Sequence, residues 1–257
     1  MTDHEARYLR EVQYRFPDRL AARAILHRRY GRGDWFTWLA EAIAFTPGSV
    51  VADVGCGAGA FWQQAPAGVP DDLALRLIDN SPGMVAAAEA AVHAAGRWRD
   101  VAAIVGDAAA LPLADRSVDT TLAIHMLYHL RDPVAELARV TRPGGTVAVV
   151  LNRSGTMAEL SGLVEAALGR RAARPAPLSS EQGLALMQAR FGTVEVRRFD
   201  DTLRVTDPVD LLGYLTSLPE ADAPGAAAKL AAAVDSAFRV TDVFAVTKAS
   251  ELLIARR

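Results

Sequence analysis

The sequence has almost no cysteine. Cys56 is the single cysteine among 257 residues, so the chain can form neither an internal disulfide bond nor a zinc site built from several cysteines. This composition suits a reducing compartment, and the cytoplasm is the predicted location. Because Cys56 lies between glycines, we interpret it as a packing residue.

The sequence also lacks an excess of positive charge. Its 28 lysines and arginines are balanced by 30 aspartates and glutamates, which gives a formal net charge of -2 and a pI of about 6.2. Proteins that bind nucleic acid non-specifically usually carry a clear basic excess. No nucleic-acid partner is therefore expected.

Long hydrophobic runs are missing as well. Charges or prolines interrupt each aliphatic run well short of the roughly 20 residues that a membrane-spanning helix needs. The first residues, MTDHEARYLR, are charged and have no apolar run before a small-residue cleavage site, unlike a secretory signal. We therefore expect neither a membrane segment nor export.

Apolar residues, by contrast, are abundant, since 51% of the chain is hydrophobic. A chain of this length and composition can bury a large core, and it suits one α/β domain, alone or with a small lid. We predict a single domain over 1–257. The sequence does not indicate an oligomeric state.

From residue 48 onward, short apolar runs alternate with helical segments, a pattern typical of a parallel sheet covered by helices. Glycine and proline mark the ends of these helical segments. The five predicted strands lie within 49–55, 73–81, 102–108, 118–126 and 145–151. This region therefore predicts the core of an α/β fold.

The flanking regions complete the predicted architecture. Residues 1–45 have helical spacing of apolar groups and form a predicted cover of two or three helices. Residues 152–190 interrupt the alternation with two helical segments, which predicts a lid inserted after the fifth strand. Residues 191–257 supply two more strands, within 192–199 and 250–256, and complete a seven-stranded, mostly parallel sheet.

The most informative motif is the segment VVADVGCGAGAFW at 50–62. An apolar strand reaches Asp53 and is followed by Gly55, Gly57 and Gly59. Glycines permit positive φ and the close approach of a ligand, and the next helix begins with free N–H groups that favour nucleotide-like ligands. A glycine-rich turn between a strand and a helix can also exist without a ligand.

Acidic residues follow two further strands. Asp79 comes 24 residues after Gly55, near the roughly 20-residue spacing at which an acid reaches ribose hydroxyls, although it could instead cap the helix that begins near Ser81. Asp107 follows a third strand, and with Ala108 it is predicted to contact an adenine edge, unless it too is a helix cap. Because the carboxyl ends of parallel strands meet at one crevice, we predict a single ligand site there.

These motifs, in this order, resemble those of the class I S-adenosylmethionine-dependent methyltransferases, especially the small-molecule branch that includes ubiquinone and menaquinone methyltransferases. The resemblance covers about 48–151 and implies a Rossmann-like fold with S-adenosylmethionine as the cofactor. It assigns the methionine part of the cofactor to the glycine segment, the ribose to the acid after the second strand, and the adenine to Met84 and 106–108. The implied cofactor residues are Asp53, Gly55, Gly57, Gly59, Asp79, Asn80, Met84, Gly106, Asp107 and Ala108.

A catalytic base is optional in this chemistry, because in-line methyl transfer mainly needs alignment and exclusion of water. His125, at the end of the fourth predicted strand, is expected to contact the cofactor and is the candidate base. Tyr128 and His129 are the alternatives for the base. A histidine in an apolar segment can also be purely structural.

The N-terminal cover contributes one more predicted contact. Tyr30 is expected to reach the cofactor, and the nearby Arg32, Trp35 and Trp38 could close over it. The tryptophans could equally form the core beneath the docked helices. No cluster of His, Asp and Glu has metal-ligand spacing, so no metal is predicted.

The predicted function is transfer of a methyl group to an oxygen or nitrogen atom of a small molecule in biosynthetic metabolism. Three alternatives remain. An enzyme could bind the same cofactor without methylating, and an RNA methyltransferase would need a basic stripe, for which scattered arginines are the only indication. An NAD-dependent dehydrogenase would fit the pattern Gly55-x-Gly57-x-x-Ala60, but the segments at 106–108 and 143–145 favour the methyltransferase.

Overall fold

The computed structural model describes residues 17–31, 33–98, 100–127, 134–169 and 178–257. The strands are β1 (Val50–Val54), β2 (Ala74–Asp79), β3 (Asp100–Val105), β4 (Val118–Ile124), β5 (Thr141–Asn152), β6 (Val194–Val205) and β7 (Phe244–Arg256). The helices are α1 (Pro17–Tyr30), α2 (Trp35–Ile43), α3 (Ala60–Gln63), α4 (Pro82–Ala95), α5 (Ala135–Val140), α6 (Ala158–Leu168), α7 (Ser180–Phe191), α8 (Pro208–Thr216) and α9 (Ala226–Phe238). A short 3-10 turn, Pro219–Asp222, joins α8 to α9.

The strands form one seven-stranded sheet with the order β3-β2-β1-β4-β5-β7-β6. β7 runs antiparallel to both of its neighbours, while the pairings among β1 to β5 are parallel. The predicted seven-stranded, mostly parallel sheet is therefore confirmed. The strand order changes direction at β1: β2 and β3 lie on one side of it, and β4 and β5 lie on the other. In an open α/β sheet, the carboxyl ends of the two strands at such a switch point, here β1 and β4, form the expected binding crevice.

The central strands are buried on both faces, as their apolar sequences require. In β1, Val51 and Val54 are fully buried and point to opposite faces, because side chains alternate along a strand. Val51 joins a core with Leu75 and Trp62. Val54 joins a second core with Leu137 on the other face. The sheet is thus packed between two apolar layers.

A third core lies beyond the sheet and holds α1, whereas α2 packs on the first core. α1, α6, α8 and α9 meet the outer parts of the long strands β6 and β7, and their shared core includes Leu26, Leu160, Leu211, Leu230 and Val246. We call this region the helical subdomain.

The two helices of the predicted insertion pack in different places. α6 belongs to the helical subdomain through Leu160 and Val164. α7 lies against the sheet, where a Cβ added to Gly183 would be 2.1 Å from the Leu151 side chain. Among the described helices, none combines the length and the apolar character that a bilayer crossing requires.

Candidate cofactor and acceptor site

Three left-handed glycines shape the loop after β1. Gly55, Gly57 and Gly59 have φ values of 70°, 54° and 75°, a region that side chains disfavour. A Cβ on Gly55 would lie 2.8 Å from Met126 Cβ, and one on Gly59 would lie 3.2 Å from the backbone of Ala88. A Cβ on Gly57 would meet nothing within 4 Å. The first and last glycines therefore permit packing within the protein, whereas Gly57 keeps an open surface.

Asp79 fixes the glycine loop to the end of β2. Its Oδ2 accepts a hydrogen bond from Gly57 N–H at 3.0 Å, and its Oδ1 accepts one from Ser81 N–H at 2.9 Å. Ser81 itself caps α4 by accepting from Met84 N–H. Because each carboxylate oxygen can accept more than one hydrogen bond, Asp79 keeps acceptor positions for a ligand diol. A structural role and a ribose-binding role are compatible at this residue.

Asp53 lies buried beneath the same loop, with 3% of its surface exposed. Its Oδ2 accepts a hydrogen bond from Trp62 Nε1–H at 2.9 Å, and its Oδ1 is buried without a partner among the described residues. Burial raises the pKa of Asp53 to about 7, the charge of Asp79 raises it further, and the hydrogen bond from Trp62 opposes the shift. Asp53 therefore holds an unused polar atom, and its carboxyl group exchanges its proton near neutral pH.

The end of β3 meets the same edge. Gly106 N–H donates to the Asp79 carbonyl at 3.0 Å, and a Cβ on Gly106 would be 2.8 Å from the Pro112 ring. Asp107 is exposed and its Oδ1 accepts from Ala109 N–H at 2.8 Å, while Ala108 packs on the core. The local bond of Asp107 fits the turn-capping alternative and leaves its other oxygen for a ligand.

Most of the predicted cofactor residues therefore lie along one edge formed by the ends of β1, β2 and β3. Two others follow Asp79 closely in sequence: Asn80 is exposed after β2, and Met84 is buried in the first turn of α4. We call this group the cofactor edge. Its role in binding remains a prediction from the motifs.

His125 follows β4 directly and has a left-handed backbone, with φ of 54°. Its N–H donates to the Val150 carbonyl at 3.0 Å, its Nδ1 is buried without a partner among the described residues, and its ring stacks on Trp35 with centroids 5.6 Å apart. Burial lowers the pKa of His125 to about 4, and Lys248 and His27 lower it further. The imidazole is therefore neutral at pH 7 and only weakly basic.

Tyr30 does not join the cofactor edge. Its hydroxyl donates to Asp210 Oδ2 at 2.6 Å, Arg29 forms an ion pair with the same carboxylate, and its ring packs on the core of the helical subdomain. The cofactor contact of Tyr30 stays a prediction, and in this structure its hydroxyl is bound to Asp210 of α8. Arg32, Tyr128 and His129 lie outside the described residues.

An aromatic group beside His125 was only partly predicted. Trp35 and Trp38 stack on each other with centroids 5.1 Å apart, and Phe199 lies 5.2 Å from both. Lys248 Nζ lies 4.9 Å from the Trp35 ring and 5.4 Å from the Phe199 ring, which is cation–π geometry. The sequence pattern indicated the tryptophans but neither Phe199 nor Lys248, because β6 and β7 show no motif that points to a site.

Among the described residues, His, Cys, Asp and Glu side chains do not gather in groups of three or more that could hold a metal ion. Burial raises the pKa of the Cys56 thiol, and this side chain packs in the core. The chemistry of the site therefore depends on carboxylates, imidazoles, Lys248 and backbone groups.

Comparison with known proteins identifies the same part of the chain. Residues 52–149 match a family model described as a methyltransferase domain. The chain is 38% identical over 120 residues to malonyl-[acyl-carrier protein] O-methyltransferase of Pectobacterium atrosepticum, covering 44% of this chain and 43% of that protein. It is 36% identical over 119 residues to demethylmenaquinone methyltransferase of Renibacterium salmoninarum, covering 45% and 46%. The chain spans about half the length of these relatives.

A solved structure extends the similarity in fold. The [4+2]-cyclase SpnF has a TM-score of 0.56 to this chain at 20% identity, with 96% of both chains covered. The sheet order and the domain match agree with the motifs after β1, β2 and β3. Residues 52–149 therefore match a methyltransferase domain, and this is the part of the chain whose motifs resemble those of S-adenosylmethionine-dependent methyltransferases.

Proposed function

We propose that this protein transfers a methyl group from S-adenosylmethionine to an oxygen or nitrogen atom of a small-molecule acceptor in biosynthetic metabolism. The relatives named above act on small molecules or on a carrier-bound acyl group. Methyl transfer breaks the bond between the methyl carbon and the sulfonium sulfur, and the cofactor supplies this reactivity. The chain would bind the cofactor, align the acceptor and exclude water.

The observation that carries the proposal is the position of the Asp79 carboxylate. It holds Gly57 N–H from the first loop and Ser81 N–H from the second, while Gly106 N–H from the third binds the Asp79 carbonyl. One residue thus joins three strand ends at the crevice where α/β sheets bind ligands. The open side of Gly57 next to this carboxylate is suited to a ribose and its adjoining chain.

His125 would act beside the reacting atoms. It follows β4, and the next residue, Met126, packs against Gly55 of the loop. A neutral imidazole can accept a proton from an acceptor that becomes acidic as it is methylated. Its pKa of about 4 makes it a poor base for an ordinary alcohol, so we expect it to position the acceptor more than to deprotonate it.

An RNA acceptor has less support. Of the arginines that suggested a basic stripe, three pair with acidic residues: Arg29 with Asp210, Arg197 with Glu195 and Arg198 with Glu251. These pairs reduce the positive charge that the described arginines could offer to phosphates. Arg32, Arg170, Arg171 and Arg174 lie outside the described residues.

The experiment that tests the cofactor is calorimetric titration with S-adenosylmethionine, S-adenosylhomocysteine and NAD in parallel. We expect dissociation constants in the micromolar range, about -8 kcal/mol, for the first two ligands and no binding of NAD. Binding of NAD alone would overturn the proposal in favour of the dehydrogenase.

Consumption of the cofactor is tested separately. Methyl-labelled S-adenosylmethionine is incubated with the protein and a panel of small carboxylic acids, phenols and amines, and release of S-adenosylhomocysteine is measured. Acceptor-dependent release supports methyl transfer. Tight binding of the cofactor without release in any mixture would favour an enzyme that uses this fold for other chemistry.

A further inference from the structure

Three basic side chains that the proposed chemistry does not fully use influence one another from three separate parts of the chain. They are His27 of α1, His125 after β4 and Lys248 of β7, and we call them the basic cluster. Lys248 lowers the pKa of both histidines, and His27 lowers the pKa of His125. The three groups therefore lie within electrostatic reach of one another, although they are far apart in the sequence.

Aromatic rings form one wall of this cluster. Trp35 stacks on the His125 ring on one side and lies beneath Lys248 Nζ, so both groups contact the same indole. Phe199 contacts both Trp35 and the ammonium group. Such a wall limits access of water and offers apolar surface to the carbon skeleton of a ligand.

Two polar atoms of the cluster have no partner among the described residues. They are Nδ1 of His27 and Nδ1 of His125, both of which are buried without a hydrogen bond. Leaving such a group unsatisfied is costly, and buried polar atoms are nearly always paired. An N–H at this position of either ring can donate a hydrogen bond to an anion.

Asp201 is an acidic residue that acts on this cluster. It lies opposite Lys248 in the register of β6 against β7, and its charge raises the pKa of both Lys248 and His27. Burial nevertheless lowers the pKa of Lys248 and is the larger effect. The cluster thus holds one partly compensated ammonium and two neutral imidazoles, which suits a singly charged anion better than a phosphate dianion.

We propose that the basic cluster recognises a carboxylate group of the methyl acceptor, an inference that rests on the proposed methyl transfer. Its position agrees with this role, because His125 directly precedes Met126, the residue that packs against Gly55 of the cofactor edge. The carboxylate binds Lys248 and the two imidazoles, and the attached carbon chain packs on Trp35 and Phe199.

The test measures the titration of the histidine side chains by NMR while sodium propionate is added, with propionamide as the neutral control of the same shape. Resonances are assigned with the variants His27→Gln and His125→Gln. Propionate is expected to raise the pKa of both histidines by stabilising their charged forms, and propionamide is expected to leave both unchanged. The measurement is made on the free protein and on its complex with S-adenosylhomocysteine.

Variants of Lys248 test whether its ammonium group binds the carboxylate. Lys248→Met keeps an apolar stem on the rings and is expected to weaken propionate binding about tenfold, the loss of one charge-assisted hydrogen bond. Lys248→Arg is expected to restore binding. Lys229→Met, at an exposed position of α9, is the matched control and should have no effect.

The outcomes separate this inference from the proposed function. If propionate shifts neither histidine in the free protein or in the complex, the inference is wrong, while binding of S-adenosylmethionine and methyl transfer remain unaffected by that result. If S-adenosylhomocysteine alone raises both pKa values and propionate adds nothing, the anion is the carboxylate of the cofactor and the assignment to the acceptor is overturned.

Discussion

The cofactor edge and the basic cluster are built in different ways. At the cofactor edge, three short segments meet, and backbone groups supply most of the contacts: Gly57, Ser81 and Gly106 all bind Asp79. In the basic cluster, side chains from α1, β7 and the residue after β4 meet through rings and charges. The geometry of the cofactor edge thus depends on one side chain, Asp79, and on local backbone groups, whereas the basic cluster depends on several side chains from distant elements.

Burial also affects the two regions with opposite sign. It raises the pKa of Asp53 to about 7 and lowers the pKa of His27 and of His125 to about 4. In each case burial disfavours the charged form, which is the anion for an acid and the cation for a base. The two regions should therefore respond to pH in opposite directions.

The largest expected effect is the pH dependence of stability. The unfolded chain releases the Asp53 proton at the ordinary pKa of 3.8, whereas the folded protein keeps it up to a pKa of about 7. The contribution of Asp53 to the unfolding free energy is therefore present at low pH and is lost as the pH rises through that window. In Asp53→Asn the loss is absent, and the difference in unfolding free energy between variant and wild type should change by about 4 kcal/mol between pH 4 and pH 8. Urea unfolding at several pH values measures it.

The histidines supply the opposing control. Their pKa falls from 6.5 to about 4 on folding, so their stabilisation is present above pH 6.5 and is lost as the pH falls toward 4. His125→Gln should therefore differ from wild type mainly at acidic pH, where it should be the more stable protein. If Asp53→Asn and His125→Gln both show the wild-type dependence of unfolding free energy on pH, burial does not shift the pKa values of the two regions in opposite directions.

Gly57→Ala is expected to have the next largest effect, on cofactor binding. The added methyl group meets no protein atom but points to the surface where we place the ligand, and a steric conflict of about 1–3 kcal/mol weakens binding roughly ten- to a hundredfold. Calorimetry with S-adenosylhomocysteine measures the loss.

Gly144→Ala is the matched control for this change. Gly144 also has positive φ, 79°, and open space around its Cβ position, so both variants should lose a similar stability, about 1–2 kcal/mol. Only Gly57→Ala should lose cofactor affinity. Equal affinities in the two variants would remove Gly57 from the binding surface.

Asp79→Ala should weaken binding of S-adenosylmethionine about tenfold or more, because hydrogen bonds to the ligand and the support of Gly57 N–H are lost together. Asp100→Ala is the control, since Asp100 is exposed at the start of β3 and pairs with Arg76 at 2.8 Å. Unchanged affinity in Asp79→Ala would exclude this residue from the site.

The smallest effect is expected for Tyr30→Phe. Loss of the hydrogen bond to Asp210 should lower the unfolding free energy by about 1 kcal/mol and leave cofactor affinity unchanged. Thermal unfolding and calorimetry on the same variant check both statements. A clear loss of affinity would instead support the predicted cofactor contact of Tyr30.

Sequence patterns predicted the strands well because each one is a short apolar run bounded by glycine, proline or a polar turn. They also predicted that Asp53, Asp79 and Asp107 would lie near one another, since the ends of neighbouring parallel strands meet whatever lies between them. The core on which Tyr30 packs could not be predicted, because helical spacing indicates that a residue faces a core and does not indicate which core. The same limit applies to α6 and α7, whose periodicity is similar but whose partners differ.

The sequence by itself thus determined the sheet, the glycine loop and the acids after the strands, because these features depend on local backbone geometry and on contiguous residues. Only the tertiary structure decided that His125, Phe199 and Lys248 would gather around Trp35, with His27 within electrostatic reach of His125 and Lys248. The register of β6 against β7 and the docking of α1 and α2 bring these side chains together, and no spacing along the chain encodes such a meeting. The pKa shifts follow for the same reason, since burial and neighbouring charge exist only once the chain is folded.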